Sequence, residues 1–128
     1  MKIWVDDIRI APKSFVWCKT VNDFKTLVKD AIKREEKIEL VSLDHDAGDF
    51  FKYGGDYIEC VKWLEELKYI EGLEPCKIFY LHTGNPVGRD NMWRIIRACG
   101  WQLDEHAEDF LNSRPEKLRL EHSESMFE

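Results

Sequence analysis

Lys2-Ile3-Trp4-Val5-Asp6-Asp7 is a short apolar run that stops on two carboxylates. It is too short for a helix, is built from β-branched and aromatic residues, and reads as a buried strand. The same punctuation recurs twice. Glu39-Leu40-Val41-Ser42 leads into Leu43-Asp44-His45-Asp46, and Ile78-Phe79-Tyr80-Leu81 leads into His82-Thr83-Gly84-Asn85-Pro86. Open α/β sheets bind ligands outside the carboxyl ends of their strands. If the three runs lie side by side and parallel, Asp6, Asp7, Asp44, His45, His82 and Thr83 converge on one crevice. Crowded carboxylates repel one another, and such a cluster suits a hard cation, Mg²⁺ or a similar ion such as Mn²⁺.

The segments between these runs set the topology. Strands are expected over residues 2–6, 15–18, 38–43 and 77–81. Ile8 to Pro12 reads as a loop. Thr20, with Asp23 three residues on, caps a helix whose apolar stripe is Val21, Phe24, Leu27, Val28, Ala31 and Ile32. A glycine-bearing loop from Ala47 to Gly55 precedes a second helix, starting near Asp56 with Ile58, Val61, Leu64 and Leu67 on its buried face. Tyr69 to Pro75 is a connection. Asn85 caps a third helix with Pro86 at its first position, and Gly100 ends it. Strands alternating with helices give a mainly parallel sheet of four to five strands. Right-handed crossovers give the order 2-1-3-4, with no regular first helix. Residues 1–103 form this domain. Residues 104–128 are a C-terminal extension, with a short helix expected near Glu105–Leu111 and an edge strand near Lys117–Glu121.

Composition narrows the function. A chain of 128 residues with 44% hydrophobic content supports one core. The net charge of −6 argues against coating long nucleic acid through counterion release, but leaves room for a small phosphorylated ligand or an RNA end. Cys18, Cys60, Cys76 and Cys99 form no C-x-x-C pair and read as buried thiols. No apolar stretch reaches the length of a membrane span, and acids follow too early for a signal peptide. The expected location is cytoplasmic.

Three segments carry candidate chemistry. Asp6 and Asp7 can reach a cation; read plainly, they are a solvated pair, with Asp7 near Arg9. Asp44 can ligate the same cation or act as a carboxylate nucleophile toward phosphorus. His45 is a candidate general acid or base, or a loop histidine bonded to Asp46. In the third segment a helix start offers N–H groups to an anion. There Gly84 and Gly88 allow close approach, Thr83 and Asn85 add polar groups, and Arg89 can fork onto phosphate oxygens. His82 is a second candidate proton carrier. There is no dinucleotide fingerprint, P-loop or G-x-S-x-G elbow.

The acidic pair Asp6-Asp7, the strand-end Asp44 and the hydroxyl of Thr83 resemble the response-regulator receiver domain. The fuller set is Trp4-Val5-Asp6-Asp7-Ile8-Arg9, Ser42-Leu43-Asp44-His45-Asp46, Gly54-Gly55-Asp56 and His82 through Met92. It more closely resembles the cyclic-phosphate-processing receiver-like branch, over about residues 1–100. The resemblance implies a receiver-type, flavodoxin-like fold and an activity on cyclic phosphate. It gives Asp6, Asp7 and Asp44 the acidic-pocket role, and puts His45, His82, Thr83, Asn85 and Arg89 in motifs particular to this branch. The chain departs from ordinary receivers in its short first connection and in lacking a fifth strand that ends in lysine.

The expected function is a metal-dependent phosphoesterase opening a cyclic phosphate of a nucleotide, RNA end or related small phosphoester. The catalytic residues would be Asp44, His45 and His82. Thr83, Asn85, Gly88 and Arg89 would hold phosphate, and Asp6, Asp7 and Asp44 the metal. Two other readings stand beside it: a noncatalytic module binding a phosphorylated ligand or partner protein, and a divergent receiver phosphorylated on Asp44.

Overall fold

A computed structural model describes residues 1–104. Its sheet has five parallel strands: β1 (Lys2–Val5), β2 (Phe15–Cys18), β3 (Leu40–Leu43), β4 (Ile78–Leu81) and β5 (Gln102–Leu103), in the order β2-β1-β3-β4-β5. The first four strands and their order are as the sequence reading expects, each trimmed by no more than two residues. The fifth, within the four to five expected, lies at residues to which the sequence reading gave no strand. Two residues are too few to show a period, yet Gln102 and Leu103 pair with Ile78 and Phe79. The helix and strand expected near Glu105–Leu111 and Lys117–Glu121 lie outside the described residues, as does all but the first residue of the expected extension.

Three helices, α1 (Val21–Lys33), α2 (Ile58–Glu66) and α3 (Pro86–Ala98), supply the crossovers. The Thr20 hydroxyl accepts from the Asp23 amide at 2.9 Å, so the first cap forms as expected. The second helix differs. It starts at Ile58, two residues past Asp56, whose Oδ1 accepts from the Ala47 amide at 2.9 Å and closes the loop after β3 on itself. Part of that loop, Gly48–Tyr53, is a 3-10 turn, and α2 runs on through a π turn, Leu67–Glu71, where a plain connection was expected.

Alternation along the strands divides the two faces. Ile3, Val5, Val41, Leu43, Phe79 and Leu81 join the core built with α1, α2 and α3. Trp4, Ser42 and Tyr80, aligned in register, take the opposite face. The connection from β1 to β2 holds no helix. It folds back instead, so that Trp4 Nε1 donates to the Arg9 carbonyl at 2.9 Å and Trp17 Nε1 to the Asp6 carbonyl at 2.8 Å. Cys18, Cys60, Cys76 and Cys99 are all buried free thiols. Among the described residues no helix is long and apolar enough to cross a membrane.

β1 is followed by a connection to β2 on one side, and β3 by a connection to β4 on the other. The carboxyl ends of β1 and β3 therefore form the topological switch point, where an open α/β sheet leaves a crevice.

Candidate functional site

Asp6 and Asp7 leave β1 at this switch point and Asp44 leaves β3 beside them. One carboxylate oxygen from each lies within 4.8 Å of the others. The three are not equivalent. Asp6 is 1% exposed. Its Oδ1 accepts from the amides of Ile8 and Arg9 at 3.0 and 3.1 Å, and its Oδ2 faces His82 Nε2 at 2.9 Å. Burial opposes its charge, but the His82 bond and the two amides outweigh it and hold the carboxyl below the usual range. Asp7 goes the other way. Burial, the adjoining Asp6 carboxylate and the charge of Asp44 raise it. The nearby Tyr57 phenol, buried and facing the same three carboxylates, is raised as well.

His82 joins this cluster to the rest of the site. An ionised Asp6 can only accept, so Nε2 carries the proton, and with the ring neutral Nδ1 accepts from the Ser42 hydroxyl at 2.7 Å. Burial keeps the ring below its ordinary pKa, against the pull of Asp6. The imidazole stacks on Trp4 at 3.7 Å between centroids, with the two rings nearly parallel. The His82 carbonyl accepts from the Arg9 guanidinium. Both ring nitrogens are thus engaged and the side chain is buried, which leaves neither nitrogen free for a substrate.

On the β4 side an open groove of about 490 Å³ is lined by Arg9, Tyr80, Leu81, His82, Thr83, Gly84 and Arg89. The groove carries two arginines and is linked to the carboxylate cluster through His82, which lines it and bonds Asp6. The Arg89 guanidinium makes no hydrogen bond or ion pair among the described residues. Thr83 Oγ1 accepts from the Asn85 amide at 3.1 Å and closes a small turn.

The helix start is less open than its sequence suggests. Pro86 has no N–H. The Gly88 amide donates to Asn85 Oδ1 at 2.9 Å, and that of Arg89 to the Asn85 carbonyl at 2.8 Å. Of the first turn only Val87 keeps an N–H without such a partner. Asn85 and Gly88 thus cap and pack the helix and do not face the groove as phosphate ligands. The role of Gly88 is steric: a Cβ there would overlap the His45 ring. His45 lies against the first turn of α3, with Nδ1 on Asp46 Oδ1 at 2.7 Å and Nε2 left over. Gly88→Ala is therefore expected to keep its melting temperature, because alanine favours a helix by about 1 kcal/mol over glycine. It should still displace His45 and, on the activity proposed below, lower turnover about 10-fold or more. Thermal melts and steady-state kinetics on the same preparation check this.

The sequence of the Cyclic-phosphate processing Receiver domain family matches this chain over residues 1–98. The chain belongs to that family. No curated protein and no solved structure matches it. This receiver domain keeps the acidic pocket at the switch point, yet β5 is followed by Asp104, not by the lysine of ordinary receivers.

The donor set fits a hard cation. It consists of carboxylate oxygens only, and the Asp7 carboxyl, raised by burial and then by Asp6 and Asp44, is one whose charge such an ion would favour. Gly48, at φ +56°, lets the loop after β3 cross Asp7; a Cβ would sit 2.5 Å from Asp7 Oδ2. His45, Asp46 and Asp56 also lie within 4.8 Å of one another, but His45 Nδ1 and Asp56 Oδ1 already have protein partners.

Asp7 gives a prediction about stability. Its folded pKa is raised above 3.8, so the fold binds more protons than the unfolded chain in that window, and stability falls as pH rises through it. Metal-free Asp7→Asn should therefore melt higher than the parent at neutral pH. For the parent, Mn²⁺ at about 100 times its Kd should add about 2.7 kcal/mol. Asp7→Asn should lose most of that gain in melts with Mn²⁺ or with chelator.

Arg9, Ser42 and Gly48 are the residues that sequence reasoning left out. Arg9 had a signal, lying two residues after the acidic pair in the quoted motif. Ser42 had one too, a lone hydroxyl inside a buried strand. Gly48 had none, since nothing in the sequence announces which side chain a loop glycine will meet.

Proposed function

We propose that this domain is a metal-dependent phosphoesterase that hydrolyses a cyclic phosphodiester to a phosphomonoester. The observation that carries the reading is the juxtaposition of three carboxylates with a two-arginine groove, tied together by His82. Asp6, Asp7 and Asp44 would hold Mg²⁺ or Mn²⁺. Such an ion supplies charge neutralisation and polarisation of a phosphoryl oxygen.

The remaining work falls to the chain. Arg9 and Arg89 clamp the non-bridging oxygens and stabilise the charge that grows on them in the transition state. Thr83 contributes a hydroxyl to the same groove. His45, oriented by Asp46, takes a proton from the attacking water at Nε2. The water oxygen forms the new P–O bond as one ring P–O bond breaks. The departing oxygen receives the proton from the same imidazole, so one proton moves from water to the leaving group. His82 is a positioning residue: it holds Asp6 ionised and aimed, and fixes Arg9 through its carbonyl. Ordinary phosphorelay at Asp44 fits less well, because the residue directly after β5 is Asp104 and not a lysine.

The test is a panel of cyclic phosphates incubated with the protein and Mg²⁺ or Mn²⁺, followed by ³¹P NMR. A cyclic phosphodiester signal should convert to a monoester signal, and chelator should stop the conversion. No conversion of any member by folded protein would refute the enzymatic reading. Covalent labelling of Asp44 by a phosphodonor, without turnover, would favour the phosphoacceptor.

A further inference from the structure

Arg89 borders a second groove. Between α3 and β5 a cavity of about 460 Å³ is lined by Arg89, Trp93, Trp101, Gln102 and Leu103. Arg89 lines both this cavity and the β4-side groove, so the two lie on either side of one side chain. We propose that the second cavity is a nucleobase subsite, which makes the ligand a nucleoside cyclic phosphate and not a bare cyclic phosphodiester. This rests on the phosphate-binding part of the reading above, though not on turnover.

Three features support it. The lining is chemically suited to a base, with the partly exposed Trp93 indole for stacking, an exposed amide at Gln102 that can both donate and accept, and an apolar Leu103. Its platform is fixed: Trp101 is 4% exposed and stacks on Phe79 at 5.5 Å between centroids. The spacing also matches. Arg89 and Trp93 are four residues apart on α3, hence neighbours on one helix face with Cβ atoms about 5–6 Å apart. A phosphate held by Arg89 thus places a sugar over the helix surface and a base beside Trp93. Arg97, one turn further, has its guanidinium 5.9 Å from the Trp93 ring centroid, which helps to hold that ring in place.

Binding separates this proposal from catalysis. The probes are a slowly hydrolysed nucleoside 2′,3′-cyclic phosphorothioate and its baseless counterpart, methyl riboside 2,3-cyclic phosphorothioate, titrated calorimetrically with Mn²⁺ present. The parent should bind the nucleoside about 10–100-fold more tightly, the usual worth of one stacked base. Trp93→Ala should weaken the nucleoside to the level of the baseless probe and leave the latter unchanged. Trp93→Phe should retain most of the preference, and Gln102→Ala should alter the ranking among bases. A trinucleotide with the same cyclic terminus, bound more tightly than the mononucleotide, would assign the ligand to RNA ends; weaker binding would assign it to free nucleotides. Equal affinity for nucleoside and baseless probes, equal weakening of both by Trp93→Ala, or no binding of either would overturn the proposal. A base preference without turnover would leave it standing while the enzymatic reading fails.

Discussion

His82→Ala is expected to lower stability by about 3–5 kcal/mol, the scale for leaving one member of a buried pair without its partner. For a domain of this size that is a fall in melting temperature of roughly 10–20 °C. The loss has three sources. Asp6, 1% exposed, loses the donor on its Oδ2; Ser42 loses the acceptor for its hydroxyl; and the Trp4 face loses the ring stacked on it. His82→Gln, which can still donate to Asp6, should lose clearly less. The pH dependence has a defined sign. The folded ring titrates below its ordinary value of 6.5, so below 6.5 the unfolded chain takes up a proton that the fold does not. Stability therefore falls as pH drops below 6.5. Asp6 adds to the trend at lower pH: its folded pKa lies below 3.8, and its contribution, complete above that value, disappears as pH falls through the folded one. His82→Ala should flatten the upper part of this slope. Denaturant titrations between pH 5 and 8 read both effects. A destabilisation under about 1 kcal/mol would show that His82 does not hold the site together.

Arg89→Ala is expected to cut kcat/KM for the cyclic phosphate about 10²–10³-fold, the usual loss when one preorganised charge stabiliser is removed. Its melting temperature should be unchanged, because the guanidinium has no partner among the described residues. Arg9→Ala should show a similar kinetic loss together with a modest loss of stability, since Arg9 also donates to the His82 carbonyl. The double variant should lose less than the product of the two, as groups acting on one phosphoryl unit are not additive. Lysine should restore little at either position, because a point charge cannot make the two parallel bonds of a guanidinium. Full turnover by Arg89→Ala would remove the groove from the chemistry.

Much of this was legible in the sequence. Apolar runs stopping at Asp6, Asp44 and His82 fixed the three inner strands, and alternation with helices fixed their order. The acidic cluster followed directly, because strand ends meet wherever strands are adjacent. β5 was not legible, since two residues carry no period and are held by pairing with β4. His82 was placed in the right crevice but given an open proton-carrying role. Its engagement by Asp6 and Ser42 depends on which face the ring takes, and that is decided by Trp4 beneath it. Asn85 and Gly88 misled in a similar way. A capping residue and a glycine at a helix start suit an anion site, but they suit the helix's own needs equally well, and here Asn85 Oδ1 and the His45 ring claim them.

The central claim is that cation and phosphate share one pocket at the ends of β1, β3 and β4. Its most direct test is a crystal soaked with Mn²⁺ and a slowly hydrolysed nucleoside cyclic phosphorothioate, with anomalous differences used to locate the metal. The expected map has Mn²⁺ among Asp6, Asp7 and Asp44, and the phosphorothioate in contact with Arg9 and Arg89. Mn²⁺ elsewhere, or a phosphorothioate bound away from both arginines, would contradict the account.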